Sequence, residues 1–294
     1  DRHAMRILPG FDENAKIKYL FLDLVPSNCS FQMPVKQLVD MCKSLRPDII
    51  CIVDAAHGLG SIKKFNFQYD GALSKNIDFM FTNCHKWLCG PKGTGFLWKS
   101  NQFDAAHLSR DLLQLRPAIQ SHGIGAGFHS EFSWTGLKEY TPFIGLYSTY
   151  LIWTECFQGF DAAIDYCTRL AREAAQMLTI GFGTKCLVCE SLCSTMVCIQ
   201  LPDKFVRNVL MMKYEAEIGA VNIEFVNRLL TSSSSINYDY SHAEIVQNFL
   251  YFKYNIEIPC KAIQAVLYLR LSAHIYNKLD DYKYLYQAIS NHNN

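Results

Sequence analysis

Short apolar runs followed at once by polar side chains are the dominant pattern of the first hundred residues. Residues 49–53 (IICIV) and 77–81 (IDFMF) are rich in β-branched or aromatic side chains, and runs of this length suit buried β-strands. The polar clusters that follow them are Asp54 with His57, and Asn83 with His85 and Lys86. The sequence therefore predicts two strands that each end in chemically active side chains.

The same patterns predict regular elements along the rest of the chain. Further strands are predicted at residues 19–25, 93–98, 196–201, 255–260 and 265–272. Helices are predicted at residues 34–47, 102–115, 141–157, 161–178, 205–217, 243–254 and 280–290, with loops at 116–136 and 231–239. The short connection before residues 93–98 predicts an antiparallel strand. Alternating strands and helices predict an α/β layered fold.

Composition narrows the possible classes of protein. The 294 residues suffice for one large domain or two modest ones, and the net charge of +1 gives no field that favours nucleic acid or a membrane surface. The 12 cysteines have no disulfide-framework spacing, so we expect reduced thiols and a cytoplasmic protein. The most apolar stretch, 142–157, is interrupted by Glu155 before it reaches the ~18 apolar residues that a membrane helix needs.

Asp54 and Lys86 are the two residues that indicate which ligand the site binds. In an open parallel sheet, ligands bind outside the carboxyl ends of the strands, so we expect both side chains in one crevice. A lysine in a closed pocket loses its proton more readily and can form a Schiff base with an aldehyde. A carboxylate at the end of an apolar strand needs a cationic partner, which a protonated pyridine nitrogen provides. The pair therefore predicts pyridoxal phosphate, held by Lys86 at its aldehyde and by Asp54 at its ring nitrogen.

Two motifs around these residues resemble the class V aminotransferase family of pyridoxal phosphate enzymes with fold type I. They are D-A-A-H-G-x-G and N-C-H-K-W-L-C-x-P-K-G, and the similarity continues through RPAIQSHGIGAGFHSEFSWTG and LRLSAHIYN. It is greatest to the isopenicillin N epimerase-like branch, which also resembles cysteine desulfurases and cysteine-sulfoxide lyases. The resemblance implies the C-terminal part of a large, mostly parallel sheet domain over residues 1–158. A long connecting helix and a small α+β domain would follow over residues 159–294.

The resemblance also implies further cofactor contacts. These are His57 at the ring face or ring hydroxyl, His85 at the phosphate, Asn83 at the ring, and Ser27 near the cofactor's hydroxyl. Alternatively, His57 could form a hydrogen bond to the backbone and have no cofactor contact, and Ser27 could be an ordinary turn residue. In relatives, the loop W-T-G-T-x-D approaches the phosphate bound by the neighbouring subunit. This chain has Leu137 and Glu139 in that loop, which leaves the backbone N–H of Gly136 as the donor.

Arg270 is the expected substrate-binding residue. It lies in the apolar segment LYLRLSAHIYN, and its planar fork suits the carboxylate of an amino acid; the alternative is a structural salt bridge. Asp54 could instead cap a strand or bind a ribose, but Gly58 and Gly60 lack the third glycine of a dinucleotide fingerprint. The cysteines at 186, 189, 193 and 198 lack a second matched pair for zinc, and we interpret them as buried thiols rather than a metal site.

These assignments predict a homodimeric pyridoxal phosphate enzyme acting on an amino acid or a derivative. Epimerisation, C–S lysis and amino transfer all stay open, because they share the same electron sink. The alternatives are a cysteine desulfurase-like enzyme, and a catalytically weak remnant that acts as an association partner. The first strands and the phosphate-binding helix start of fold type I would precede residue 1. We therefore expect an N-terminally incomplete chain that binds its cofactor weakly.

Overall fold

The computed structural model describes residues 17–67, 71–100, 122–133, 136–218 and 236–292. Two β-sheets organise these residues, a four-stranded one in the N-terminal half and a three-stranded one in the C-terminal half. The predicted α/β fold is confirmed. The predicted helix at 102–115 and residues 231–235 of the predicted polar loop lie outside the described residues.

The first sheet has the order β1-β2-β3-β4 and is mostly parallel. Its strands are β1 (Tyr19–Asp23), β2 (Ile50–Asp54), β3 (Phe79–Asn83) and β4 (Gly95–Lys99). Strands β1, β2 and β3 are parallel, and β4 runs antiparallel to β3, as the short connection predicted. Helix α1 (Val35–Leu45) follows β1 and buries Val35 and Val39 in the core of this sheet.

The register of the parallel strands aligns their carboxyl ends. Asp23 of β1 is opposite Asp54 of β2, and Asp54 is opposite Phe81 of β3. Neighbouring residues in register point to the same face of a sheet, so the two carboxylates lie side by side. The polar ends of the three strands therefore form one edge, where ligands of open α/β sheets bind.

The second sheet has the order β5-β7-β6 and is antiparallel. Its strands are β5 (Met196–Gln200), β6 (Cys260–Ile263) and β7 (Val266–Ser272). Four helices share its apolar core: α4 (Phe160–Phe182), α5 (Asp203–Ile218), α6 (Tyr240–Tyr254) and α7 (Leu279–Ser290). The helix predicted at 161–178 is longer at both ends in the structure. At its C-terminal end, apolar positions continue to Phe182, and Gly183 (φ +65°) then ends the helix.

Two shorter helices lie between the sheets in sequence, α2 (Phe128–Ser133) and α3 (Thr141–Leu151). The chain continues from α3 through a π-helical turn, Ile152–Cys156, and Trp153 in this turn is buried with Cys84, Leu88, Ala163 and Ile164. This small cluster packs the loop after β3 against the start of α4. It therefore anchors the loop that carries Lys86.

Two predicted elements are wrong in part. The strand predicted at 255–260 begins only at Cys260, because Asn255 (φ +54°) ends α6 in a left-handed conformation and Pro259 has no N–H for a ladder. The region predicted as a loop, 116–136, contains helix α2.

The predicted division into two domains at residue 158 stays a prediction. Among the described residues, no helix is long and apolar enough to cross a membrane.

Candidate active site

A small cavity lies at the carboxyl ends of β1 and β2, beside the loop after β3. Its volume is about 110 Å³, and its lining residues are Asp23, Val25, Ser27, Asp54, Ala56, His57 and Lys86. The structure therefore brings together four of the residues singled out from the sequence: Ser27, Asp54, His57 and Lys86.

Asp54 presents a carboxylate to this cavity. The strand before it is largely buried, whereas Asp54 itself is half-buried at the strand end. Its Oδ1 accepts a hydrogen bond of 2.8 Å from the backbone N–H of Ala56. Within the described part of the chain, Oδ2 accepts no hydrogen bond and no Lys or Arg lies within ion-pair distance. The carboxylate can therefore receive a cationic or N–H group from a bound molecule.

Lys86 lies in the turn that follows β3, and its position is fixed through backbone contacts. Its backbone N–H donates to Asn83 Oδ1 at 3.3 Å, and Asn83 Nδ2 donates to the carbonyl of Ala56 at 3.5 Å. Gly60 (φ +80°) makes the close approach possible, because a Cβ there would lie 2.9 Å from the backbone N of Leu88. The loops after β2 and β3 are thereby tied together, and the exposed side chain of Lys86 extends into the cavity.

His57 connects Lys86 with the protein interior. Its Nε2 lies 3.2 Å from Lys86 Nζ, and its Nδ1 accepts a hydrogen bond of 3.1 Å from the indole N–H of Trp87. Burial, together with the positive charges of Lys86 and Arg270, lowers the pKa of His57 to about 4. The imidazole is therefore neutral at neutral pH.

Arg270 reaches this region from β7. Its Nη1 donates to the carbonyl of Ser27 at 2.9 Å, and its Nε is buried without a hydrogen-bond partner. Burial lowers the pKa of its guanidinium. No carboxylate lies within ion-pair distance of Arg270 in the described ranges, so the structural salt bridge considered from the sequence is not seen. An orphaned N–H on a buried cation is costly, and a ligand carboxylate would satisfy it.

Arg270 is not among the residues that line the cavity, and His85, Asn83 and Gly136, also singled out from the sequence, do not line it either. His85 is exposed, and Asn83 acts on the loop backbone as described above. Gly136 (φ +102°) accepts a hydrogen bond of 3.5 Å from the hydroxyl of Tyr140 at its carbonyl. The contacts predicted for these three with a cofactor or with a neighbouring subunit stay predictions.

The structure adds three residues for which no role was predicted from the sequence: Asp23, Trp87 and His274. Asp23 could have been found, because it ends a predicted strand whose neighbour ends in Asp54. Trp87 and His274 lie within recognised motifs, but their contacts join positions 187 residues apart, and no local pattern reports such a contact. His274 is 5% exposed and its ring stacks on that of Trp87.

The cysteines form neither disulfides nor a metal cluster in the described ranges. All 12 are free thiols, and Cys193 and Cys198 are buried, whereas Cys189 is exposed. No group of three or more His, Cys, Asp or Glu in the part of the chain that the structure describes could hold a metal ion. Burial raises the pKa of Cys193 to about 11. Such a thiol stays protonated and unreactive at neutral pH.

Comparison with known proteins extends this description. Residues 14–109 match the sequence model of the family described as aminotransferase class-V. A probable chloroplastic L-cysteine desulfhydrase of Arabidopsis thaliana is 27% identical, over 99% of this chain and 54% of that protein. A hercynylcysteine sulfoxide lyase of Schizosaccharomyces pombe is 22% identical, over 94% of this chain and 59% of that protein. The chain thus spans about half the length of the curated relatives that it matches.

Several solved structures share this fold. A C-DES mutant with glycine covalently linked to its PLP cofactor superimposes with a TM-score of 0.61 at 13% identity, over 94% of this chain and 60% of that one. A NifS-like protein gives a TM-score of 0.59 at 14% identity, over 99% of this chain and 63% of that one. These relatives do not single out the isopenicillin N epimerase-like branch, which stays a prediction. The architecture is that of fold type I, and residues 14–109 resemble the class V aminotransferase family in sequence.

Proposed function

We propose that the cavity at Lys86 and Asp54 binds pyridoxal phosphate, and that the protein cleaves the carbon–sulfur bond of a cysteine-type amino acid. The observation that supports the cofactor most strongly is the convergence of these two side chains. They are 32 positions apart in sequence, yet both line one cavity of about 110 Å³. A nucleophilic amine and a carboxylate at opposite sides of a ring are what this cofactor requires.

The side chains present fit the cofactor. The Oδ2 atom of Asp54 lacks a partner in the described residues, which suits a protonated ring nitrogen. Small-molecule sites usually measure about 300 Å³ or more. The cavity of about 110 Å³ therefore has to widen, and separation of Lys86 Nζ from His57 Nε2, now 3.2 Å apart, would widen it. When bound, pyridoxal phosphate supplies an electron sink for the carbanion formed at the substrate's α-carbon.

The residues of this chain divide the remaining work. Lys86 would hold the cofactor covalently through Nζ at the aldehyde carbon. The amine of Lys86, once exchanged for the substrate's amino group, would accept the α-proton as a general base. Asp54 would hold the proton on the ring nitrogen. Arg270 binds the substrate carboxylate, and its unpartnered Nε and its Nη atoms can donate to both carboxylate oxygens.

The names of the relatives favour a C–S lyase over the other reactions. Two of them are a probable L-cysteine desulfhydrase and a hercynylcysteine sulfoxide lyase. A desulfhydrase reaction converts cysteine and water into sulfide, pyruvate and ammonia. A cysteine desulfurase would instead release alanine and transfer the sulfur to an acceptor thiol. Epimerisation and amino transfer would leave the C–S bond intact.

A second copy of the chain is the proposed partner. Helix α3 presents an exposed apolar face, with Phe143 41%, Ile144 74%, Tyr147 67% and Tyr150 52% exposed. Contiguous apolar patches of this kind mark protein–protein interfaces. The face carries no charged side chain between Phe143 and Tyr150, which suits the core of an isologous homodimer. Sedimentation at several concentrations tests this proposal, and a monomer at about 100 μM, well above the Kd of a stable dimer, would contradict it.

The reaction is tested with the purified chain, pyridoxal phosphate and L-cysteine. The expected products are sulfide and pyruvate in equal amounts. Alanine with protein-bound sulfur would indicate a desulfurase, and D-cysteine without sulfide would indicate an epimerase. Failure to acquire the visible absorption of lysine-bound cofactor would contradict the whole proposal. It would favour the alternative of an association partner, which a search for a co-purifying subunit would then address.

A further inference from the structure

Trp87, the residue after Lys86, contacts the ring of His57 on the side opposite the cavity. Its indole N–H lies 3.1 Å from Nδ1 of His57, and Trp87 itself is only 6% exposed. An indole N–H can donate a hydrogen bond but cannot accept one. Nδ1 of His57 must therefore be the acceptor and carry no proton.

The donor role of Trp87 determines which nitrogen of His57 is protonated. A neutral imidazole carries one proton, so a ring whose Nδ1 accepts must carry that proton on Nε2. Nε2 faces Lys86 Nζ at 3.2 Å. An Nε2–H can donate only to a lone pair. In the cofactor-free protein this contact is therefore a hydrogen bond only when the amine of Lys86 is unprotonated, which is the nucleophilic form.

His274 holds Trp87 in place from the C-terminal half of the chain. The two rings are parallel within 2°, with centroids 5.7 Å apart. Nδ1 of His274 accepts from the backbone N–H of Ile275 at 2.8 Å, and its Nε2 lies 3.0 Å from the carbonyl of Trp87. The tautomer of His274 is thereby determined too, because a backbone N–H can only donate and a carbonyl can only accept. The orientation of Trp87 thus depends on a residue that follows β7.

We propose that Trp87 is a positioning residue that holds His57 as its Nε2–H tautomer, so that His57 donates a hydrogen bond from Nε2 towards Lys86 and the ligand in the cavity. The significance for catalysis rests on the proposed function, since a donor at this place would meet an oxygen of the cofactor or the free amine of Lys86. The tautomer itself is a property of the protein without cofactor. It can therefore be tested separately.

The first test measures the tautomer directly in the full chain without cofactor. Two-bond proton–nitrogen correlation spectra of protein with ¹⁵N-labelled histidine distinguish Nδ1–H from Nε2–H rings. Comparison with His57→Gln assigns the signals of His57. We expect the Nε2–H form of His57 to exceed the other by about tenfold or more at pH 7.5, since one net hydrogen bond changes such a ratio by about that factor. A predominant Nδ1–H form of His57 would overturn the proposal.

The second test removes the donor and keeps the ring. Trp87→Phe lacks the indole N–H but retains an aromatic surface for His274, and we expect the tautomer ratio of His57 to fall about tenfold. Trp153→Phe is the matched control, because Trp153 is 1% exposed, also contacts His274, and donates its N–H to the carbonyl of Leu88 at 2.8 Å. An unchanged ratio in Trp87→Phe, or an equal change in the control, would overturn the proposal.

The outcomes separate this proposal from the proposed function. If the Nε2–H form is seen and depends on Trp87, the positioning role stands whether or not pyridoxal phosphate binds. If the protein binds pyridoxal phosphate but His57 is an Nδ1–H ring, the proposed function stands and the role of Trp87 is refuted.

Discussion

The strands of the two sheets are buried to very different degrees. In β1 of the N-terminal sheet, Tyr19 is 48% and Phe21 is 57% exposed, although parallel strands are normally covered on both faces. In β5 of the C-terminal sheet, by contrast, the four residues from Met196 to Ile199 are all at most 1% exposed. In the described part of the chain, the outer strands β1 and β4 of the N-terminal sheet are therefore open to solvent, although β2 and β3 are largely buried, whereas β5 is covered on both faces.

The difference shows that the candidate site and the best-packed core lie in different halves of the described chain. The carboxyl ends of the open parallel sheet carry Asp54 and, in the following loop, Lys86, where a ligand can enter. The closed half contributes Arg270, which lies within the well-packed strand β7, and His274, which follows that strand. A rigid support of this kind positions site residues more accurately than mobile loops do. Mutations in the two halves should therefore have separable effects.

The largest effect is expected for Lys86→Ala. Without the amine, the chain cannot attach the cofactor covalently or accept the α-proton, so C–S lysis should fall by about 10⁴-fold or more. The visible absorption of lysine-bound cofactor, and its trapping by borohydride, should also be lost. Lys92→Ala is the control, because Lys92 is an exposed lysine of the same loop. Trapping that persists in Lys86→Ala and disappears in Lys92→Ala would show that Lys92, not Lys86, is the nucleophile.

The comparison of the two halves is tested by one substitution made in each. Phe205 is fully buried in the C-terminal core, so Phe205→Ala should lower the free energy of unfolding by about 3–5 kcal/mol. Phe21, 57% exposed on β1, makes a ring contact with Phe81 at 5.8 Å, and Phe21→Ala should cost less than about 1 kcal/mol. Urea unfolding measures both. Equal costs would show that the open sheet is not open in solution.

An intermediate effect is expected where the closed half meets the substrate. Arg270→Lys keeps a positive charge but loses the planar fork, so binding of the substrate carboxylate should weaken by about 10–100-fold, mostly as a higher KM. The absorption of the bound cofactor should be unchanged, because Asp54 and Lys86 are untouched. Arg172→Lys is the control, since its Nε is also buried without a partner but it donates to the carbonyl of Cys193. An unaltered KM in Arg270→Lys would exclude the carboxylate role.

Much of the fold could be predicted because local signals agreed with tertiary ones. The strands β1, β2 and β3 were recognised from apolar runs, and their ends placed Asp54 and Lys86 together, as the cavity shows. Strand β6 was misplaced for a local reason. The two-residue turn at Gln264 (φ +48°) and Ala265 (φ +62°) fixes the pairing of Ile263 with Val266, yet such turns usually carry Asn or Gly. The sequence therefore had no signal that would set this register.

The supporting contacts of the site could not be predicted at all. Trp87 and His274 were visible within motifs, but a ring stack across 187 positions depends on how the two sheets pack. The unpartnered Nε of Arg270 likewise follows from burial against the turn at Ser27, not from the composition of β7. Sequence patterns thus indicated which residues to expect at the candidate site, whereas packing determines their orientation and protonation.

The smallest expected effect concerns the protonation of His57 and its dependence on pH. The pKa of His57 is lowered to about 4 in the folded protein, by burial first and then by Lys86 and Arg270. In the unfolded chain it lies near about 6.5. Between these values the unfolded chain binds a proton that the folded chain does not, so stability falls as the pH drops from about 6.5 to about 4.

The His57→Gln variant lacks the imidazole that would bind this proton. Over the same range, wild-type protein should therefore lose on the order of 1 kcal/mol more stability than the variant, discounted for the partly exposed ring. Urea unfolding at pH 7, 6 and 5 measures the difference; parallel curves would show that the pKa of His57 is not lowered, and that its ring is less buried than in the structure.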